Sequence, residues 1–89
     1  MGFKWDEKKR QSKLKKHGID FDYAKQIREG PLLRLSKRYQ SKERWFPVIG
    51  KVDERTIAIV YTHRRGHKRI ISARPANRTE REAYERQAW

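Results

Sequence analysis

Apolar residues are not spread evenly along this chain. They crowd into the stretch from Val48 to Ile71, where two strand-like runs are divided by the polar turn Asp53-Glu54-Arg55. Thr56 to Thr62 alternates, with Ile57, Ile59 and Tyr61 on one face and Ala58 and Val60 on the other, the period of two that marks a strand. Both faces are fairly apolar, so this strand is expected at the centre of a sheet covered on two sides. Trp45 to Val52 reads as the strand before it, with Pro47 confined to an edge or a bulge because it has no N–H to donate. His63 to His67, with Gly66 free to take positive φ, is expected as a hairpin loop. Lys68 to Arg74 is then the return strand.

The flanks read as helices. Phe3-Lys4-Trp5 alternates as a short strand with Trp5 inward, and Asp6 is an N-cap with Glu7 in the first turn. Residues 7–17 form the expected first helix. Lys15, Lys16 and His17 suit its negative end, and Gly18 suits the left-handed position beyond it. Leu14 is that helix's one large aliphatic residue, so the helix must rest on other structure while most of it stays wet. Phe21, Ala24 and Ile27 or Arg28 mark a second helix over about 21–29, stopped by Gly30-Pro31. Leu32 to Leu35 is a short strand candidate, and Ser36 to Glu43 a polar, mobile loop. Pro75 ends the sheet. Asn77 with Glu80 three residues on resembles a capping box, opening a last helix whose weak apolar face is Ala83, Tyr84 and Ala88. With 89 residues the chain is one domain, 1–89, of α+β class: a small antiparallel sheet, two N-terminal helices and one C-terminal helix.

Charge decides the class of partner. With 24 Lys and Arg against 11 Asp and Glu the formal charge is +13, a field that gathers polyanions. No apolar run approaches the roughly 18 residues of a membrane span, and no signal peptide is visible, so a soluble, cytoplasmic protein is expected. There are no cysteines. His17, His63 and His67 are the only histidines, and no carboxylate spacing completes a zinc set around them, so no metal is expected. Ser12, Ser36, Ser41 and Ser72 lack a nucleophile elbow, and no Gly-rich phosphate loop occurs, so no cofactor is expected either.

What remains is chemistry needing only cations, a proton acceptor and a proton donor. Metal-independent RNA cleavage fits, because the 2′-hydroxyl of the substrate is the nucleophile. Arg64, Arg69 and Arg74 are the candidates to hold the scissile phosphate. On a regular strand Arg69 and Arg74 face opposite sides unless a bulge near Pro75 intervenes. Glu80 and Tyr84 share a helix face and could act as acid and base; equally, Glu80 caps its helix and Tyr84 packs on the sheet. His17 is a further candidate base or acid, or simply a helix cap. Lys13, Lys15, Lys16, Arg65 and Lys68 are candidate RNA contacts. The alternative reading is a nucleic-acid-binding module without catalysis.

Phe3-x-Trp5-Asp6-x-x-Lys9 and Lys16-His17-Gly18-Ile19-x-Phe21-x-x-Ala24, followed by Arg44, Ile49-Gly50, Ile59-Val60-Tyr61-Thr62, Arg64, Arg69-Ile70-Ile71-Ser72-Ala73-Arg74, Ala76, Glu80 and Tyr84, together resemble the BrnT toxin family in order and spacing. The resemblance implies a fold similar to RelE-type ribonuclease toxins and RNA cleavage that halts translation. It also implies neutralisation by a BrnA-type antitoxin in a hetero-oligomer, with DNA bound only through the antitoxin. Lys13, the segment Ile27-Arg28-Glu29-Gly30 and the basic 36–43 loop depart from the family pattern, which bears on partner specificity more than on fold.

Overall fold

The structure is a computed structural model that describes residues 3–35, 38–40 and 43–87. Its strands are β1 (Lys4–Trp5), β2 (Leu33–Arg34), β3 (Arg38–Gln40), β4 (Glu43–Val52), β5 (Arg55–Arg64) and β6 (His67–Pro75). The helices are α1 (Glu7–His17), α2 (Phe21–Ala24) and α3 (Arg78–Glu85). The sheet runs β1-β6-β5-β4-β2, with β3 pairing on β4, and is antiparallel except that β1 lies parallel to β6. The α+β arrangement expected from the sequence is present, with the sheet mixed at one edge.

α1 runs from cap to cap as its sequence dictates. Asp6 accepts the Lys8 and Lys9 amide N–H groups, and Gly18 turns left-handed at φ 76° while donating to the Leu14 carbonyl. Asp20 caps α2 and receives Nε and Nη2 of Arg10 at 2.7 and 2.8 Å, tying α1 to α2. The expected second helix is α-helical only over Phe21–Ala24 and tightens to a 3₁₀ turn over Lys25–Glu29. Phe21, Ala24 and Ile27 remain on its buried side.

Those residues pack with Val48, Val52, Ile57, Ile59, Tyr61, Ile70 and Ala73 on one face of the sheet. The other face carries a smaller cluster, Ile49, Ala58, Ala76 and Tyr84, beneath α3. β5 is therefore central, and its alternation divides as read. The second face is covered only in part, since Val60 stays half-exposed.

Pro47 sits inside the β4–β5 ladder, opposite Val60. Its carbonyl points to the other edge, where it accepts Leu35 N–H at 3.0 Å. Its ring nitrogen faces the same edge, just past the residues paired with β2, so the β4–β5 ladder misses no donor. β3 also corrects the reading of 36–43 as a mobile loop: Arg38–Gln40 pair with Glu43–Trp45. Residues 36, 37, 41 and 42 of that loop, and Ala88, read as part of the last helix's apolar face, lie outside the described residues.

Both central hairpins turn in two residues. Asp53 and Glu54 take φ 50° and 73°, and Arg65 and Gly66 take 53° and 78°, the mirror-image turns that match strand twist. The hairpin loop expected over 63–67 is thus shorter than read, and His63, Arg64 and His67 are strand residues.

Two stability predictions follow from this packing. A Cβ on Gly50 would stand 2.8 Å from Ile27 Cβ and 2.9 Å from Leu32 Cδ2, so Gly50→Ala should lower urea-unfolding stability by about 1–3 kcal/mol; an unchanged midpoint would refute the close approach. Glu54→Gly should raise it by about 0.5–1 kcal/mol, because glycine removes the left-handed penalty of roughly 1–2 kcal/mol at some entropic cost. A loss of stability would contradict the turn assignment.

Candidate functional site

The site is built by an irregularity in β6. Val60 pairs with Ser72 but Tyr61 pairs with Ile70, so Ile71 is an extra residue, a β-bulge. Directly opposed residues share a face. Arg74 opposes Ala58, Ser72 opposes Val60, Arg69 opposes Thr62, and His67 opposes Arg64. Ala58, Val60, Thr62 and Arg64 alternate regularly along β5. Arg64, His67, Arg69 and Arg74 therefore all project from the same face, the one only partly covered by α3. The sequence had allowed for a bulge near Pro75; it lies four residues earlier.

The arginines share a face without meeting at one point. From the position opposite Arg74 to Arg64 is six residues of β5, about 20 Å at strand rise. Each terminal arginine is also held by its own carboxylate. Arg74 Nη1 and Nη2 donate to Glu80 Oε1 and Oε2, both at 2.8 Å, and Arg64 Nη2 donates to Glu43 Oε2 at 2.6 Å. Sequence reasoning had all three arginines on one phosphate; the register lays them out as a track.

α1 forms one bank of this track. At its start, Asp6 and Lys9 share a hollow with Glu43, Trp45, Thr62, Arg64 and Arg69. At its end, His17 lies within electrostatic range of Arg74. Burial first, and then the charges of Lys13, Lys16 and Arg74, push the His17 imidazole below its ordinary pKa. Lys13, one turn before His17 on the same side of the helix, is half-buried, and its ammonium is also pushed down, by burial and by Lys16 and Lys9. Lys15 projects from a different side of the helix.

α3 closes the far end. Asn77 Oδ1 accepts Glu80 N–H at 2.8 Å, and Glu80 Oε1 accepts Asn77 N–H at 2.9 Å, the capping box read from sequence. Glu80 therefore caps the helix and fixes Arg74 together. Glu80 raises the Arg74 pKa further through that hydrogen bonding. Beside this pair, Leu35, Pro47, Val48, Ile49, Ala58, Ile59 and Val60 line an apolar hollow of about 310 Å³.

Two candidates stand elsewhere. Tyr84 is 5% exposed and its hydroxyl donates to the Pro31 carbonyl at 3.0 Å. That contact matches the packing role read for Tyr84 beside the acid–base one. Lys68 opposes His63 on the reverse face, with its ammonium 5.3 Å from the Tyr61 ring centre and 5.9 Å from that of Phe3. His63 is on that reverse face too, edge-on to Phe46 and Tyr61, so His63 and His67 cannot share an ion. Among the described residues no three His, Asp or Glu side chains gather as metal ligands. No helix among them is long and apolar enough to cross a membrane.

Sequence reasoning missed Lys4, Lys9 and Glu43. Lys4 stands apart from the basic runs, Lys9 sits in the run Lys8-Lys9-Arg10 whose facing charge alone does not decide, and Glu43 falls in the expected 36–43 loop. The one available signal was the count from Trp45 back along β4, which sets Glu43 beside Arg64 once the strand is extended.

Residues 5–80 match the family model described as the ribonuclease toxin, BrnT, of type II toxin–antitoxin systems. The crystal structure of the Brucella abortus ribonuclease toxin, BrnT, matches with a TM-score of 0.60 and 24% identity, over 88% of this chain and 99% of that one. At that identity the likeness shows the shared fold. No curated protein matches the chain. The family model covers most of the sequence, including α1, the bulged hairpin and Glu80, and on that coverage the chain belongs to the BrnT family of ribonuclease toxins of type II toxin–antitoxin systems.

Proposed function

We propose that this chain is an endoribonuclease that cleaves RNA without a metal ion where Arg74, His17 and Lys13 come together. By that cleavage it arrests translation in the cytoplasm. A BrnA-type antitoxin holds it inactive in a hetero-oligomer and supplies whatever contact with DNA the complex makes. The observation that carries the catalytic reading is the placement of Arg74: fixed by Glu80 and on the open face of β6, the strand along which α1, ending in His17, is packed.

The chemistry follows from those states. An imidazole whose pKa is pushed down by burial, and then by neighbouring cations, is suited to accept the 2′-hydroxyl proton. The freed 2′-oxygen attacks the adjacent phosphorus while Arg74 stabilises the charge that develops on the phosphorane oxygens. The bond from phosphorus to the 5′-oxygen breaks, and that oxygen takes a proton from Lys13, whose ammonium burial has made more acidic. Proton return from His17 to Lys13 restores the starting state. The products are a 2′,3′-cyclic phosphate and a 5′-hydroxyl. Glu80 is a positioning residue here, because its carboxylate oxygens already hold Arg74 and the Asn77 amide. Arg64 and Arg69 hold the strand on the same face.

The test uses purified protein, end-labelled RNA and EDTA. Cleavage should persist and leave cyclic-phosphate ends, and His17→Ala should lower kcat by roughly 10²–10⁴-fold. Loss of cleavage in EDTA, 3′-hydroxyl products, or a fully active His17→Ala protein would each defeat the mechanism.

A second measurement concerns pH. His17 must be neutral to act as base, so kcat/KM should rise as pH climbs through a midpoint below the ordinary imidazole value and be level by neutrality. In NMR titration the His17 midpoint should rise in Arg74→Ala, since a neighbouring cation is gone, yet stay depressed because burial is the larger cause. A wild-type midpoint at or above about 6.5 would contradict the placement.

A further inference from the structure

The cations at the hairpin end are too far along the track to serve the phosphate held by Arg74. Lys4, Arg64, Arg65, His67 and Arg69 line a hollow of about 310 Å³ at the β5–β6 tip, against the β1 edge. Four of its five lining residues are Lys or Arg and the fifth is a histidine. The nearest carboxylates are already engaged. Glu43 is bound to Arg64 and to the Trp45 indole, and Asp6, within electrostatic range of Arg69, accepts the first amides of α1. Among the described residues Lys4, Arg65 and His67 form no ion pair. Holding that many cations together without compensating acids costs self-repulsion, and a polyanion relieves it.

Resting on the nuclease reading above, we infer that this hollow is a second phosphate-binding station for single-stranded RNA, several nucleotides away from the bond that is cut. The bulge is what places it on the same face as Arg74, so one extended strand can lie in both. The register separates the stations by about 20 Å, more than one internucleotide step. Lys4 enters from β1, where its partner on β6 is Arg69. Arg65 enters from the turn, held by a positive φ of 53°. The protein is thereby specified for strands long enough to span both ends. A di- or trinucleotide reaches the catalytic end alone.

The probe is a fluorescently labelled, 2′-O-methyl oligoribonucleotide, which binds but cannot be cleaved, in lengths of 3 and 12 nucleotides. Affinity is read by anisotropy across a salt series. Each phosphate contact to a single strand contributes a slope of about −0.7 in log K against log salt. Lys4→Gln/Arg65→Gln should therefore reduce the slope for the 12-mer by about 1.4 and leave the 3-mer unchanged. The charge-matched control Lys8→Gln/Arg86→Gln removes two exposed cations outside the hollow and should change the 12-mer slope by less than half as much.

Equal losses in both variants, or an equal loss on the 3-mer, would overturn the station. So would an unchanged 12-mer slope in Lys4→Gln/Arg65→Gln with native circular dichroism. Binding that behaves as described in a protein unable to cut the unmodified 12-mer would leave the station standing and sink the nuclease mechanism instead.

Discussion

The polar face of this protein depends on one extra residue in one strand. Arg69 and Arg74 are five apart, an odd spacing that a regular strand sends to opposite faces. Ile70 and Ala73 are three apart and would be split in the same way. Inserting Ile71 as a bulge repairs both at once: Ile70 and Ala73 join the core beneath Phe21 and Ile27, while Arg69 and Arg74 face outward with Arg64. Ile71 is itself buried and, with Ile70, borders the hollow under the start of α1. The hydrophobic requirement on one side and the cationic arrangement on the other are thus met by one local deformation. Bulges do this at functional edges generally, because they change the aim of side chains without ending the ladder.

A second constraint is the scarcity of apolar residues. α1 has no buried residue, and Leu14 is left 37% exposed. The helix is retained by polar means: the Asp6 cap, the Gly18 turn, and the Arg10 fork on Asp20, with Glu7 on the same guanidinium. Surface ion pairs are individually worth little, but Asp20 is half-buried and also caps α2, so one carboxylate fixes the join between two helices. The outcome is a lysine-rich helix lying along β6 with no apolar commitment of its own. That is the geometry by which Lys9, Lys13 and His17 reach the edge of the groove.

What could be read from sequence divides along the range of the interactions involved. α1 was legible from cap to cap because Asp6 and Gly18 act within their own turn, and the Asn77–Glu80 box was legible for the same reason. β5 was legible through its alternation. The bulge was not, since nothing in Ile70-Ile71-Ser72 distinguishes it locally; it arises because β6 must satisfy a core on one side only after pairing with β5. The Asp53-Glu54 turn carries none of the glycine or asparagine that such a turn favours at its second position, so its type was hidden. Arg65-Gly66 was read as a wider loop because His63 and Arg64 are polar, yet ladder pairing holds them as strand. Of the candidate site, the residue types were visible while their distribution was not. Arg64, Arg69 and Arg74 needed the register to show that they form a track. Tyr84 needed the distant Pro31 carbonyl, 53 residues away in sequence, to show that its hydroxyl is occupied.

The pairing of Arg74 with Glu80 bears on how such a site stays ready for an anion. A guanidinium has five N–H donors. Three are used: two on the Glu80 carboxylate and one on the Pro75 carbonyl, at 3.2 Å from Nη1. The two that remain are enough for a forked hold on a phosphate. Glu80 does not have to leave for an anion to be held there, and its capping-box bond to Asn77 keeps it from following Arg74 if the arginine shifts. An isolated arginine on this face would lose side-chain freedom on every encounter, at a cost of up to about 2 kcal/mol. Arg74 has already lost it in the folded protein. The carboxylate that lowers the site's net charge is thereby also the device that preorganises it, and preorganised charge is the form that stabilises a phosphorane without rearrangement at the moment of reaction.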